Sequence, residues 1–454
     1  MSASRTLLMM LGIAALAVAA GPRNSMAGEI KLEADLGQSV IQAGPGQKVY
    51  LRLSLKSLAS KARSKRPPIN VALVIDRSGS MQGERLASAK AGAKAALDRL
   101  GPDDIVSLVD YNHDVTVLVP ATRFDGARET FVRAINKLEA SGTTALYAGV
   151  KEGGEQVKTS LSDMKVNRVI LLSDGLANVG PSTPAQVAAL GRELAGRGIT
   201  VSTIGLGLEY NEDLMQRLAA ASDGNHVFVE RPSDLAEIFD RELGDAISVA
   251  AQDLTITIEC KAGFRPSRVL GRDAEISGER IKVKLNQLQA ENERYLVIEL
   301  DAPAGQKTGE IDVAGVAVEY LDLDSGARST ADAGVKARIS ADAKEAEGSI
   351  NKSVMSQVTE QVATENSERA VELRDKGDIA AAKRALEENA SYLSRQKSAL
   401  GAGLAAAPTA SVEALGKLEE KSREAANSLD DGTWEKTRKA MRQDQHKSKV
   451  QQAY

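Results

Sequence analysis

The segment from Asn70 to Ser80 reads NVALVIDRSGS, an apolar run followed at once by oxygen-bearing side chains. Val71–Ile75 carries no charge, which is typical of a strand buried on both faces of a parallel sheet. Asp76, Ser78 and Ser80 then alternate along a tight loop in front of the first predicted helix. The sequence therefore predicts three oxygen side chains close to one point at the carboxyl end of a buried strand.

The segment from residue 67 to residue 249 has the pattern of a doubly wound α/β domain, with apolar strands alternating with helices such as Glu84–Leu100. The predicted strands are Val71–Ile75, Ile105–Tyr111, Val115–Pro120, Val166–Ser173, Ile199–Gly205 and His226–Glu230. Only Asn112–Asp114 joins the second strand to the third, which is too short for a parallel crossover. We therefore expect a mainly parallel six-stranded sheet with one antiparallel strand, in which the other connections are right-handed crossover helices.

Strands of a different kind flank this domain. Apolar residues recur with a period of two in Leu254–Cys260, Ile281–Leu285 and Ile311–Leu321, which predicts an antiparallel β-sandwich over residues 250–339. The same period occurs in Val49–Leu55, within the segment 28–66. We expect that segment to join the sandwich, so that the α/β domain, residues 67–249, is an insertion in it.

Residues 340–454 carry no strand pattern and are rich in Ala, Glu, Lys and Leu, which predicts a helical C-terminal region. Ala370–Leu393 contains a Gly377-Asp378 turn between two amphipathic stretches, as in one helix hairpin of the tetratricopeptide kind. Lys436–Lys449 is strongly basic. For such a charge run we expect a solvated helix end or a disordered tail, with an anion-binding arm as the alternative.

The first 27 residues have the pattern of a signal peptide, in which Arg5 precedes the apolar run Leu7–Ala20. Cleavage is expected after Ala20 or after Ala27, and an uncleaved anchor is the alternative. We therefore expect an exported protein, periplasmic or extracellular, with no transmembrane span in the mature chain.

The overall composition argues against one class of partner and one type of metal site. A formal net charge of -4 over 454 residues and 3% aromatic residues argue against nucleic acid as a partner. With three histidines and one cysteine, a zinc site of nitrogen or sulfur ligands is very hard to build. We expect the single cysteine, Cys260, to be a small buried hydrophobic residue, with dimerisation through its thiol as the alternative.

Two hydroxyls and a carboxylate on one loop suit a hard divalent cation, which prefers oxygen ligands. Their order, Asp-x-Ser-x-Ser, resembles the first motif of the metal-ion-dependent adhesion site in von Willebrand factor A domains. The resemblance spans residues 68–249, and Mg²⁺ is the expected ion, with Mn²⁺ or Ca²⁺ as alternatives. A sandwich with an inserted metal domain also resembles exported bacterial proteins described as calcium-activated chloride channel homologues.

Two further loops match the rest of the family's site. The family places a threonine in the next loop, for which Thr144 is the better register and Thr143 the alternative. Its last element is an aspartate followed by glycine, matched by Asp174 after the strand Val166–Ser173. Asp76 and Asp174 both end predicted strands. In doubly wound sheets ligands gather at such ends where the winding reverses, so we expect the two carboxylates to share a site.

The resemblance implies that Ser78, Ser80 and Thr144 bind the ion directly, while Asp76 and Asp174 act mostly through water. An almost neutral set of direct ligands leaves the ion open to an acidic side chain of a protein ligand. The implied function is an exported protein-interaction module and not an enzyme. One alternative is a metal-dependent hydrolase, which needs a positioned base. The other is a scaffold that binds through its C-terminal helices.

Overall fold

The computed structural model describes residues 30–57, 66–402, 407–429 and 432–450, together with the short strands Met26–Ala27 and Gln452–Ala453. The signal-peptide pattern therefore lies outside the described residues, apart from Met26–Ala27. Within the described ranges, every helix is too short or too polar to cross a membrane.

Strands and helices alternate in the middle of the chain, whereas the segments on either side of it are mostly strands and the C-terminal segment is mostly helices. The strands are β1 (Met26–Ala27), β2 (Ile30–Leu36), β3 (Val40–Gln42), β4 (Gln47–Ser57), β5 (Ile69–Asp76), β6 (Ile105–Tyr111), β7 (Val115–Arg123), β8 (Val166–Ser173), β9 (Ile199–Leu206), β10 (His226–Val229), β11 (Val249–Cys260), β12 (Arg265–Leu270), β13 (Glu275–Ser277), β14 (Arg280–Gln289), β15 (Glu293–Ala302), β16 (Gly309–Asp322), β17 (Arg328–Ser340) and β18 (Gln452–Ala453). The helices are α1 (Glu84–Leu97), α2 (Arg128–Asn136), α3 (Leu146–Lys158), α4 (Pro184–Ala195), α5 (Glu212–Ala221), α6 (Leu235–Ile247), α7 (Ala343–Gly348), α8 (Lys352–Asp375), α9 (Ile379–Gly401), α10 (Thr409–Ser428) and α11 (Trp434–Val450).

The central sheet has the strand order β10-β9-β8-β5-β6-β7. Every neighbouring pair is parallel except β6 with β7, which is antiparallel. The predicted fold class, a mainly parallel six-stranded sheet with one antiparallel strand, is therefore confirmed. Two of the predicted strands, Ile105–Tyr111 and Val166–Ser173, have the predicted bounds.

The surroundings of strand β5 explain why its sequence is almost entirely apolar. Its side chains alternate between two cores: Ile69, Val71, Leu73 and Ile75 pack with α1, α2 and α6, while Ala72 and Val74 pack with α3, α4 and α5. All eight residues of the strand are buried. Because both faces of the sheet are covered by helices, the strand has no water-facing side on which polar residues would be tolerated.

The other two sheets form the β-sandwich. One has the order β1-β2-β4-β15-β12, with β18 also on β15, and the other has the order β13-β14-β11-β16-β17-β3. Their inner faces share one apolar core, to which β4 contributes Leu51 and β11 contributes Ile256. The chain leaves the sandwich after β4 and re-enters it at β11, and the central sheet is formed in between. Cys260 lies in this sandwich core, as expected for a small hydrophobic residue. Burial raises the pKa of its thiol to about 11.

The C-terminal region is helical, as predicted, and it is packed against both other parts of the molecule. Helix α8 covers the outer face of the first sandwich sheet, where Val354 and Val358 contact Tyr295 and Val297. The predicted hairpin turn is present, because α8 ends at Asp375 and the side chain of Asp378 caps α9.

The prediction of a solvated or disordered basic tail is wrong. Helix α11 lies between α8 and the α/β domain, and Lys439 is only 1% exposed. The Lys439 ammonium donates to the carbonyl of Tyr210 at 2.9 Å and to Glu212 at 2.5 Å. Arg438 pairs with Glu212 and, at 2.5 Å, with Asp213. Acidic groups at the start of α5 therefore neutralise the basic face of α11.

We expect Glu212→Gln to lower the free energy of unfolding by about 3 kcal/mol, because the buried Lys439 ammonium then loses its carboxylate and keeps the carbonyl and the ring face of Tyr210. Chemical denaturation followed by circular dichroism measures the change. The matched control is Glu368→Gln, which breaks the ion pair of α11 with α8 at Lys449, where the side chains are 35% and 22% exposed. That pair is worth less than about 1 kcal/mol. Equal losses for the two variants would contradict a buried docking pair.

Candidate metal centre

The candidate site lies where the sheet changes its winding direction. From β5 the chain runs to β6 on one side, whereas β8 pairs with β5 on the other, with Ile75 opposite Leu172. The loops after β5 and β8 are therefore neighbours. Asp76 ends β5 and Asp174 follows β8, and both side chains are fully buried. The structure thus brings together the two carboxylates that the sequence predicted to share a site.

The Asp76 carboxylate is held by a donor from its own loop and by a donor from the end of β8. Its Oδ1 accepts from the backbone N–H of Ser78 at 2.8 Å, and its Oδ2 accepts from the hydroxyl of Ser173 at 2.7 Å. Burial nevertheless raises the pKa of Asp76 to about 6, because removal from water penalises the charged form and the Asp174 charge adds to that effect. Hydrogen bonds from Ser78 and Ser173 oppose the shift in the pKa without cancelling it.

Three hydroxyls gather beside these carboxylates. The Oγ atoms of Ser78 and Ser80 are 3.1 Å apart, and the Ser80 hydroxyl donates to Oδ1 of Asp174 at 2.7 Å. A Cβ atom placed on Gly175 would lie 3.2 Å from both Ser80 Oγ and Thr144 Oγ1, and 3.9 Å from Ser78 Oγ. The hydroxyls therefore surround one small volume, which stays open because residue 175 has no side chain.

Thr144, and not Thr143, is the threonine of this cluster. Thr144 is 3% exposed, whereas Thr143 faces solvent. The N–H of Thr144 donates to the side chain of Asn178 at 2.8 Å, which ties its loop to the loop of Asp174. Gly142, with a φ of +74° that favours glycine, accepts from the N–H of Gly79 at 2.9 Å. All three predicted loops are thus joined by hydrogen bonds.

Two charged residues at the site were missed by the sequence analysis. Arg85, in the first turn of α1, donates to Oδ2 of Asp174 at 2.8 Å and to Glu209 at 2.9 Å. Glu209 lies in the loop after β9. Neither residue belongs to the Asp-x-Ser-x-Ser pattern, and their pairing joins segments more than a hundred positions apart. No local pattern in the sequence could have indicated it.

The arrangement is chemically suited to a small hard cation. Oxygen ligands about 2.1 Å from an octahedral Mg²⁺ lie roughly 3.0 Å apart at adjacent corners, close to the 3.1 Å between Ser78 and Ser80. Ca²⁺ takes six to eight oxygen ligands at about 2.3–2.6 Å, and neighbouring oxygens in its seven-coordinate sites also lie roughly 3 Å apart, so this one spacing fits either ion. Within the described residues, no group of three or more His, Cys, Asp or Glu side chains could hold a metal ion, so this hydroxyl-rich set is of a different type from a zinc site.

The family model of the von Willebrand factor type A domain matches residues 70–241. The chain contains a von Willebrand factor type A domain. Uncharacterised proteins of Synechocystis (sll0103) and Escherichia coli (YfbK) are 27% and 29% identical, over 58% and 49% of this chain. The matches cover 64% and 38% of those relatives, which is less than two thirds of either.

Other comparisons agree on the fold. Human inter-alpha-trypsin inhibitor heavy chain H3 is 30% identical over 36% of this chain and 19% of its own length. A von Willebrand factor type A structure from Catenulispora acidiphila superposes with a TM-score of 0.69 at 19% identity, over 83% of this chain and 89% of that one. The VWA2 paralog of ArnB from Sulfolobus acidocaldarius gives 0.61 at 17% identity, over 93% and 98%. At these identities the two structures establish the fold.

In the presence of a chelator, which keeps divalent cations off the protein, we expect Asp76→Asn to raise the free energy of unfolding at pH 7.5 by about 2 kcal/mol. The folded protein holds the pKa of Asp76 at about 6, against about 3.9 in an unfolded chain, so ionisation at pH 7.5 costs stability. The gain should shrink as the pH falls through 6 and vanish below about pH 3, where the carboxyl is protonated in both states. Denaturant titrations at these pH values measure it.

The control is Asp114→Asn, because that side chain is 77% exposed. It should leave stability almost unchanged at each pH. A loss of stability in Asp76→Asn at pH 7.5 would show that the ionised carboxylate is a net stabilising group and would contradict the prediction.

Proposed function

We propose that this chain binds a protein ligand through a divalent cation at the loops after β5 and β8. Ser78, Ser80 and Thr144 would hold the ion directly, and Asp76 and Asp174 would act mostly through water. The bound ion would supply an electrophilic centre that attracts an acidic side chain of the ligand. The observation that carries the proposal is the convergence of three hydroxyls beside two fully buried carboxylates.

The choice of cation follows from the oxygen donors and their spacing. Mg²⁺ is our first candidate and Mn²⁺ the second, because the separation of Ser78 Oγ and Ser80 Oγ suits a short metal–oxygen bond. Ca²⁺, which takes six to eight oxygen ligands, is the third candidate. The two buried carboxylates supply negative charge that a divalent cation would compensate.

The surface around the site supports a protein as the ligand. Leu176, two residues after Asp174, is 59% exposed, and Leu208, in the loop after β9, is 44% exposed. Parallel β8 and β9 are neighbours, so these loops emerge at the same edge of the sheet. Exposed apolar side chains beside a charged centre are a usual property of protein-binding surfaces. The ligand would then present an acidic residue with apolar neighbours.

The two other functions have less support. For the hydrolase, none of the described histidines forms a hydrogen bond with Ser78, Ser80 or Thr144. His113 pairs with Asp114, His226 bonds to Thr203 and His446 bonds to a backbone carbonyl. A scaffold role for the C-terminal helices is less favoured because α8 and α11 use their faces against the sandwich and the α/β domain.

We place this binding outside the cytoplasm, in the periplasm or beyond, on the strength of the signal-peptide pattern in residues 1–27. In this proposal residues 67–249 are the binding domain. The sandwich formed by residues 28–66 and 250–339, with the helical residues 340–454, supports it.

Isothermal titration should show Mg²⁺ binding to the full chain that falls about tenfold or more in Ser78→Ala and in Thr144→Ala, since each removes a ligand oxygen. The matched control is Thr143→Ala, which alters the exposed neighbour of Thr144 and should change the affinity less than twofold. Absence of Mg²⁺ binding to the native chain would refute the proposal. Equal losses for the two threonine variants would refute the assigned ligand.

The proposed attraction between the bound ion and an acidic side chain of the ligand is tested with acetate as the probe. Acetate added to the Mn²⁺-loaded chain should show strong paramagnetic relaxation of its carboxyl carbon, which chelator abolishes and which the neutral analogue acetamide does not show. Relaxation that is identical for acetate and acetamide would mean that the ion does not select a carboxylate.

A further inference from the structure

The Arg85 guanidinium holds a position that the proposed function does not use. Its Nη1 lies 2.8 Å from Oδ2 of Asp174, while Oδ1 of the same carboxylate accepts from Ser80. Asp174 is fully buried and Arg85 is 29% exposed. The guanidinium is therefore a positive charge that is held beside the hydroxyl cluster.

This charge has opposite effects on the two partners of the site. It neutralises Asp174, which is one of the two carboxylates that would attract a divalent cation, and it repels the cation itself. The same charge attracts a carboxylate that approaches the cation from solvent. A guanidinium can also donate to a carboxylate oxygen through a second N–H group. Arg85 should therefore weaken cation binding and strengthen ligand binding.

Glu209 is placed to reduce the effect of Arg85 on cation binding. Its carboxylate lies 2.9 Å from the same Nη1 atom of Arg85 and is 68% exposed. The two N–H groups of this nitrogen donate to Asp174 and to Glu209 at the same time. The negative charge of Glu209 offsets part of the guanidinium charge, so Asp174 keeps more of its attraction for a cation. Arg85 thus has an inner partner and an outer partner at the rim of one site.

We propose that Arg85 is a specificity-determining residue of this site, which lowers its affinity for the cation and raises its affinity for an acidic ligand. Glu209 is its counter-ion on the solvent side and opposes the first effect. This inference rests on the proposed function, and it deepens it by naming a second group that contacts the ligand's carboxylate. It also predicts that the native chain binds its ion only moderately and depends on the ligand to complete the site.

The test compares the native chain with Arg85→Gln in two titrations, Mg²⁺ by calorimetry and acetate on the Mn²⁺-loaded chain by carbon relaxation. We expect Mg²⁺ affinity to rise about fivefold and acetate affinity to fall about fivefold, the size expected for one screened charge close to the site. Glu209→Gln should shift Mg²⁺ affinity the opposite way, because the guanidinium then engages Asp174 alone. The matched control is Arg99→Gln, beyond the far end of α1, where the side chain pairs with Asp240.

Opposite shifts separate this proposal from damage to the site, because a distorted site would lose affinity for both probes. Mg²⁺ affinity that is unchanged or reduced in Arg85→Gln, acetate affinity that does not fall, or equal shifts in Arg99→Gln would each overturn the role of Arg85. If the native chain itself shows no Mg²⁺ binding, the proposed function fails, and that result is read before any variant is compared.

Discussion

The charge of two carboxylates buried at one edge of a sheet governs the local structure around them. Asp76 and Asp174 are removed from water, and an uncompensated buried charge costs several kcal/mol. This charge is compensated by a backbone N–H, two hydroxyls and the guanidinium of Arg85, each of which donates to one of the two carboxylates. The raised pKa of Asp76 shows that this compensation is incomplete. A cation at the neighbouring hydroxyls would complete it.

The fold makes this concentration of charge possible. Strand β5 lies between β6 and β8, so the chain leaves its carboxyl end in one direction while β8 delivers Asp174 from the other. The strands below are apolar on both faces and covered by helices, which fixes the loops on a rigid base. The sandwich and the C-terminal helices lie around this domain, and α11 binds the first turn of α5.

The sequence predicted the central sheet and the loops of the site because those features are local. An uncharged run such as Val71–Ile75, bounded by polar loops, is typical of a doubly covered strand, and Asp76, Ser78 and Ser80 follow it directly. The pairing of Arg85 with Glu209 and the burial of Lys439 were not predictable, since each depends on residues distant in the chain. A run of positive charge is usually solvated, and only the acidic start of α5 makes this one buried.

Anomalous scattering from crystals of the full chain soaked in Mn²⁺ tests the central claim most directly. The account predicts a strong peak about 2.2 Å from the hydroxyl oxygens of Ser78, Ser80 and Thr144, next to the carboxylates of Asp76 and Asp174. With Mn²⁺ in excess, a map without density at that point, or with the ion bound only at surface carboxylates elsewhere, would contradict it.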